Sequence, residues 1–103
     1  TLTLLLSATA WQAYAAGTAP AGKAVYDKKC RTCHGANGEG NPKLAQMLKA
    51  EIRDLGSAEV QARTDGELKK IIVEGTGKMK PVKDLSGTDV DAVIAFIRSL
   101  AKQ

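Results

Sequence analysis

Apolar residues recur with helical spacing near the end of the chain: Val90, Val93, Ile94, Ile97 and Ala101, with Phe96 and Leu100 widening the same stripe and polar residues between. That period predicts an amphipathic helix. Ser86 and Asp89, three residues apart, form a possible capping box at its start, and the stripe carries it to about Ala101. A second stripe, Leu68, Ile71 and Ile72, follows Thr64-Asp65-Gly66-Glu67, another capping-box pattern, and Gly75 marks its end. Leu44, Met47 and Leu48 predict a short helix from Lys43 to about Lys49, with Pro42 suited to its first turn. A first helix is expected from Gly22 to Arg31, with Val25 and Tyr26 facing inward. Before it, Thr18-Ala19-Pro20-Ala21 reads as a linker.

Between these stretches the pattern breaks. Residues 35–41 hold three glycines and two asparagines, and residues 76–85 hold Gly77, Pro81 and three lysines, so both are expected as loops. No stretch alternates with the period of a strand. The expected class is all-α.

The 103 residues suit one domain with a thin core. With one Trp, two Tyr and one Phe, that core is underfilled unless something large and flat occupies it. Residues 1–17 carry no charge, begin with a leucine-rich run and close on Ala13-Tyr14-Ala15-Ala16, the small-residue pattern of an export-signal cleavage site. The expected organisation is therefore a signal-like segment over 1–17 and a domain over 18–103. Export implies a periplasmic location. Retention of the segment as a membrane anchor is the alternative.

Cys30-Arg31-Thr32-Cys33-His34 is the C-x-x-C-H signature of c-type haem attachment. Two thiols separated by two residues on one helical turn reach two vinyl groups of a porphyrin edge, and the adjacent histidine falls beneath the iron. A zinc site needs about four protein ligands, whereas this chain has two cysteines and one histidine in all. A thioredoxin-like pair needs a βαβ setting, and no strand is expected. One covalent haem c is thus the expected cofactor, with Cys30 and Cys33 as attachment points and His34 as an iron ligand.

The sixth iron position of an electron carrier is commonly filled by methionine, which raises the potential. Met79 lies in the glycine-containing loop Gly75-Thr76-Gly77-Lys78-Met79-Lys80-Pro81, 45 residues after His34, far enough along the chain to reach the opposite haem face. Met47 lies on a helical stripe and is expected in the core. The metal ligands expected are His34 and Met79.

On these residues the chain resembles a class I cytochrome c of the short bacterial type, from about Gly22 to Leu100. The likeness rests on Gly22 and Tyr26 before the haem motif, on C-x-x-C-H, on the Gly-x-Gly-Lys-Met loop and on the closing helix with Phe96. It implies three to five helices around one haem, with the first and last helices crossing where Gly22 meets Phe96. It also implies that the Asn41-Pro42 region supplies a carbonyl that accepts from the second ring nitrogen of His34, with Pro42 the candidate cofactor-site residue. Arg53, Gln61 and Lys78 are candidates for the haem propionates. Many relatives place proline directly after the methionine; here Pro81 comes two residues later.

With both axial positions filled by protein, the expected function is single-electron transfer without enzymatic activity. The alternatives are a haem subunit of a larger oxidoreductase, or a ligand-binding or peroxidase-type haem protein. The sole histidine is already used at His34, so no distal histidine is left for the last of these. The net charge of +4 fits acidic redox partner proteins. The chain lacks the long basic run and basic–aromatic interleaving of nucleic-acid binders.

Overall fold

The computed structural model describes residues 18–102; the signal-like segment 1–17 and its expected cleavage lie outside the described residues. Six helices follow in order: α1 (Ala19–Lys29), α2 (Arg31–His34), α3 (Pro42–Leu48), α4 (Ala58–Gln61), α5 (Asp65–Glu74) and α6 (Gly87–Ser99). The sole β pairing among the described residues is an isolated bridge between Thr76 and Met79.

Local chemistry explains most helix boundaries. The Ser86 hydroxyl accepts from the Asp89 amide while the Asp89 carboxylate accepts from the Ser86 amide, completing the box that opens α6. The Thr64 hydroxyl accepts from the Glu67 amide at the start of α5. Residues 18–21 are a correction: α1 already begins at Ala19. Pro20 sits in the first turn, where its missing N–H leaves no helical bond unmade, and the Gly22 amide donates to the Thr18 carbonyl. At the other end, α6 stops at Ser99, two residues short of the expected Ala101.

Helix α6 is the spine of the core. Val90, Ala92, Val93, Ile94, Phe96 and Ile97 are all buried on it, and Val90, Val93, Ile94 and Ile97 pack with Val60 of α4 and Leu68 and Ile72 of α5. Helix α1 crosses it at Gly22, so closely that a β-carbon there would lie 1.8 Å from the Ala92 carbonyl oxygen. Four residues on, the fully buried Tyr26 ring meets Phe96 at a centroid distance of 4.7 Å and a tilt of 48°, within the range favoured by aromatic quadrupoles. Gly22→Ala is therefore expected to destabilise the holoprotein by about 3 kcal/mol, the upper end of overpacking effects, because the obstacle is backbone. Urea unfolding measures this; a loss below about 1 kcal/mol would mean that the crossing opens easily.

Helix α4 is one turn long, too short for a period to register, and is opened by the Ser57 hydroxyl accepting from the Val60 amide. Two side chains anchor the chain around it. Gln61 Nε2 donates to the carbonyls of Leu55 and Ile97, at 2.8 and 2.9 Å. Arg98 donates to the carbonyls of Gln61 and Arg63 and pairs with the Asp65 carboxylate at 2.7 Å. Both hydrogen bonds donated by the side-chain amide of Gln61, one of the propionate candidates, thus go to backbone carbonyls. Helix α3 stands apart from this core and buries none of its residues.

Candidate haem-binding site

The helical path breaks for one residue at Cys30 (φ −119°) and resumes as α2. The Cys30 carbonyl accepts from the amides of Cys33 and His34, at 3.2 and 2.9 Å. Cys30, Cys33 and His34 therefore occupy positions i, i+3 and i+4 of one turn and share a face. Both thiols are free and half-buried, and Cys30 packs against the core cluster. The structure thus brings together the three residues that the motif assigned to haem.

The following loop holds this turn in place by occupying its exposed carbonyls. Gly40 N–H donates to the His34 carbonyl at 2.7 Å, and Asn41 N–H donates to that of Cys33 at 3.0 Å. The Asn41 side chain works in two directions: Nδ2 donates to the Thr32 carbonyl, while Oδ1 accepts from the Leu44 amide and so caps α3. Asn41 was legible only as a loop residue; its capping position before Pro42 was the available signal. The Tyr26 hydroxyl donates to the Gly35 carbonyl, tying the residue after His34 to α1.

Burial shapes the titration of this region. It lowers the His34 pKa and so favours the neutral imidazole, the form that ligates metals. Burial, and secondarily Cys33, push the Cys30 thiol up to about 11. A redox-active C-x-x-C pair has its thiol shifted the opposite way. Burial likewise raises Tyr26 from 10.0 to about 12.

Because the folded state holds the Tyr26 proton more tightly, its contribution is complete below pH 10.0 and is lost as pH rises toward about 12. Tyr26→Phe is expected to flatten that alkaline loss. It also removes one hydrogen bond, at about 1 kcal/mol near neutral pH. Stability curves of both proteins across this range test the assignment, and equal slopes would contradict it.

Several features fit a haem. The Nδ1 atom of His34 is buried without a hydrogen-bond partner. The donors gathered on the turn are two free thiols and one imidazole, the set that the C-x-x-C-H attachment of a c-type haem uses. Helix α3 presents Met47 at 70 % exposure and Leu48 at 40 %, apolar surface that a porphyrin could cover.

Two expectations change here. Met47 does not lie in the protein core, because α3 packs none of its side chains there. No hydrogen bond joins the Pro42 carbonyl to either ring nitrogen of His34; Pro42 instead occupies the first turn of α3, exposed. Arg53 pairs with Glu59 at 2.8 Å, whereas Lys78 is exposed and has no ion pair among the described residues.

Met79 belongs to a separate segment following α5. Thr76 and Met79 exchange backbone hydrogen bonds of 2.9 and 2.8 Å across Gly77 and Lys78. Gly77, at φ +53°, takes the first central place of this two-residue turn. The Met79 side chain is half-buried.

A helical shell with a C-x-x-C-H turn defines a c-type haem protein, and the comparisons with known proteins agree. The cytochrome c family model matches residues 19–101. Cytochrome c-554(547) of Halothiobacillus neapolitanus is 34% identical over 94 residues, covering 82% of this chain and 99% of that protein. Among solved structures, the KustC0563 c-type cytochrome superposes with a TM-score of 0.66 at 33% identity, covering 79% of this chain and 98% of its own. Cytochrome cL from Hyphomicrobium denitrificans gives 0.64 at 30% identity, with 84% of this chain aligned to 49% of that one. The chain belongs to the cytochrome c family and is a class I member. Its cofactor is covalently attached haem c, with Cys30 and Cys33 in the matching motif, and its function is electron transfer.

Proposed function

We propose that this protein is a single-electron carrier whose haem iron is held between His34 and Met79. The supporting observation is the turn that puts Cys30, Cys33 and His34 on one face of a chain whose residues 19–101 match the cytochrome c family. When bound, the haem supplies an iron that gains or loses one electron. The thioethers retain it in a domain too small to hold it by burial alone. Neutral His34 offers a ring nitrogen, and the Met79 thioether favours the ferrous state. With two protein ligands no iron position is left for a substrate, so the proposed role is carrier rather than enzyme. Optical spectra of both redox states test this: a c-type spectrum with the weak Met–iron band in the oxidised protein is expected. A high-spin spectrum that responds at once to added cyanide would favour the ligand-binding alternative.

Acidic redox proteins are the proposed partners. All four arginines are engaged in ion pairs, whereas Lys28, Lys29, Lys78, Lys80 and Lys83 are exposed and have none among the described residues. These lysines flank the haem motif and the Met79 loop in sequence. The association rate with an acidic partner should fall as salt rises across the Debye regime; a rate flat from low to moderate salt would remove the idea. The uncharged segment 1–17 supports export to the periplasm as the proposed location.

A further inference from the structure

We infer that Gly75 is a positioning residue for Met79, and that the Met79 loop is held ready by the protein rather than by the iron. The inference rests on the reading of Met79 as the sixth ligand. Helix α5 ends at Gly75, whose amide donates to the Ile71 carbonyl and whose φ is +77°. A β-carbon at Gly75 would lie 2.5 Å from the Met79 carbonyl oxygen, 2.8 Å from Pro81 N and 2.9 Å from Pro81 Cδ. The Met79 carbonyl and the Pro81 ring thus close onto the end of α5, over the face where a side chain is missing. The closed Thr76–Met79 turn fixes the entrance to this arrangement. Its exit is fixed by the Val82 amide, which donates to the Ile72 carbonyl at 2.9 Å. Ile72 is a buried core residue, and Val82 packs against the same core.

Every backbone hydrogen bond that holds the Met79 segment therefore comes from α5 or from the turn itself. A ligand loop of this kind is already ordered when sulfur meets iron, so coordination does not have to offset the entropy of ordering the loop. Anything that pushes the Met79 carbonyl away from Gly75 lowers the fraction of molecules ready to coordinate, and an external ligand competes better by that fraction.

Gly77 provides the comparison that separates positioning from mere backbone strain. Its φ is also positive, at +53°, but a β-carbon there would meet nothing within 4 Å. Gly75→Ala and Gly77→Ala thus both force alanine into left-handed backbone, and only the first strikes Met79.

The test measures imidazole affinity of the ferric holoprotein, together with the Met–iron band. Gly75→Ala is expected to weaken the band and raise imidazole affinity by about tenfold or more, and Gly77→Ala, which strains the turn without striking Met79, is expected to raise it severalfold less. Equal changes in the two variants, or a parent-like Gly75→Ala, would overturn the positioning role. If Met79→Ala keeps the band, the ligand reading falls and takes this inference with it; if Met79→Ala loses the band and Gly75→Ala does not, only the positioning role falls. Should Gly75→Ala give no holoprotein, the unaltered protein still decides. In its imidazole complex, the amides of Thr76, Met79 and Val82 are expected to keep their protection from hydrogen exchange. Loss of that protection would show that iron holds the loop.

Discussion

Replacing Met79 by alanine is expected to abolish the Met–iron absorption band, lower the reduction potential and open the iron to cyanide or carbon monoxide. Thioether sulfur is a soft, neutral donor that stabilises ferrous over ferric iron. A drop on the order of 100 mV is expected, a modest part of the roughly 0.8 V over which axial ligation moves haem potentials. The fold should survive, because the core formed by α4, α5 and α6 contains no atom of Met79. Met47→Leu is the control. Met47 is 70 % exposed on a helix with no buried residue, and leucine offers a haem nearly the same apolar volume, so this change should leave the spectrum intact and cost less than about 1.5 kcal/mol. A band lost in Met47→Leu and retained in Met79→Ala would reverse the ligand assignment.

The second large effect is expected when Cys30 and Cys33 are both replaced by serine. A haem held by two thioethers stays with its chain at any dilution. Without them it becomes an ordinary dissociable ligand, whose stabilisation follows its concentration relative to Kd at about 1.4 kcal/mol per tenfold dilution. The melting temperature of the double variant should therefore fall on dilution, while that of the parent stays constant. Haem should also pass from the variant to an excess of a strong haem-binding acceptor protein. Equal, concentration-independent melting of both proteins would argue against covalent retention.

The haem turn was legible because its information is local. Five consecutive residues specify it, and one carbonyl, that of Cys30, organises it. The caps at Thr64 and Ser86 were legible for the same reason, since each side chain bonds an amide three residues on. Features that depend on distant partners were not. Thr18–Ala21 read as a linker, yet its last three residues open α1, whose crossing with α6 at Gly22 was expected only through the family resemblance and not from the local pattern. Gln61 and Arg98 look like ordinary surface residues in the sequence, and only the fold reveals the carbonyls they bind. Helix α4 fell below the length at which a period can be read.

Met47 shows a different limit. Apolar residues at helical spacing identify a face that must be covered, but not what covers it. The stripe on α3 was assigned to the protein core by that rule, and the core lies elsewhere. The Pro42 carbonyl, expected by resemblance to meet His34, is likewise not joined to it, although the loop just before it, through Gly40 and Asn41, holds the turn on which His34 stands.

Covalent attachment of one haem at Cys30 and Cys33 underlies every functional statement made for this chain. Intact mass spectrometry of the denatured holoprotein tests it most directly, read beside extraction into acidified organic solvent. A chain heavier than its polypeptide by one haem, with no colour in the organic phase, is the expected result. A bare polypeptide mass with the haem extracted would contradict it.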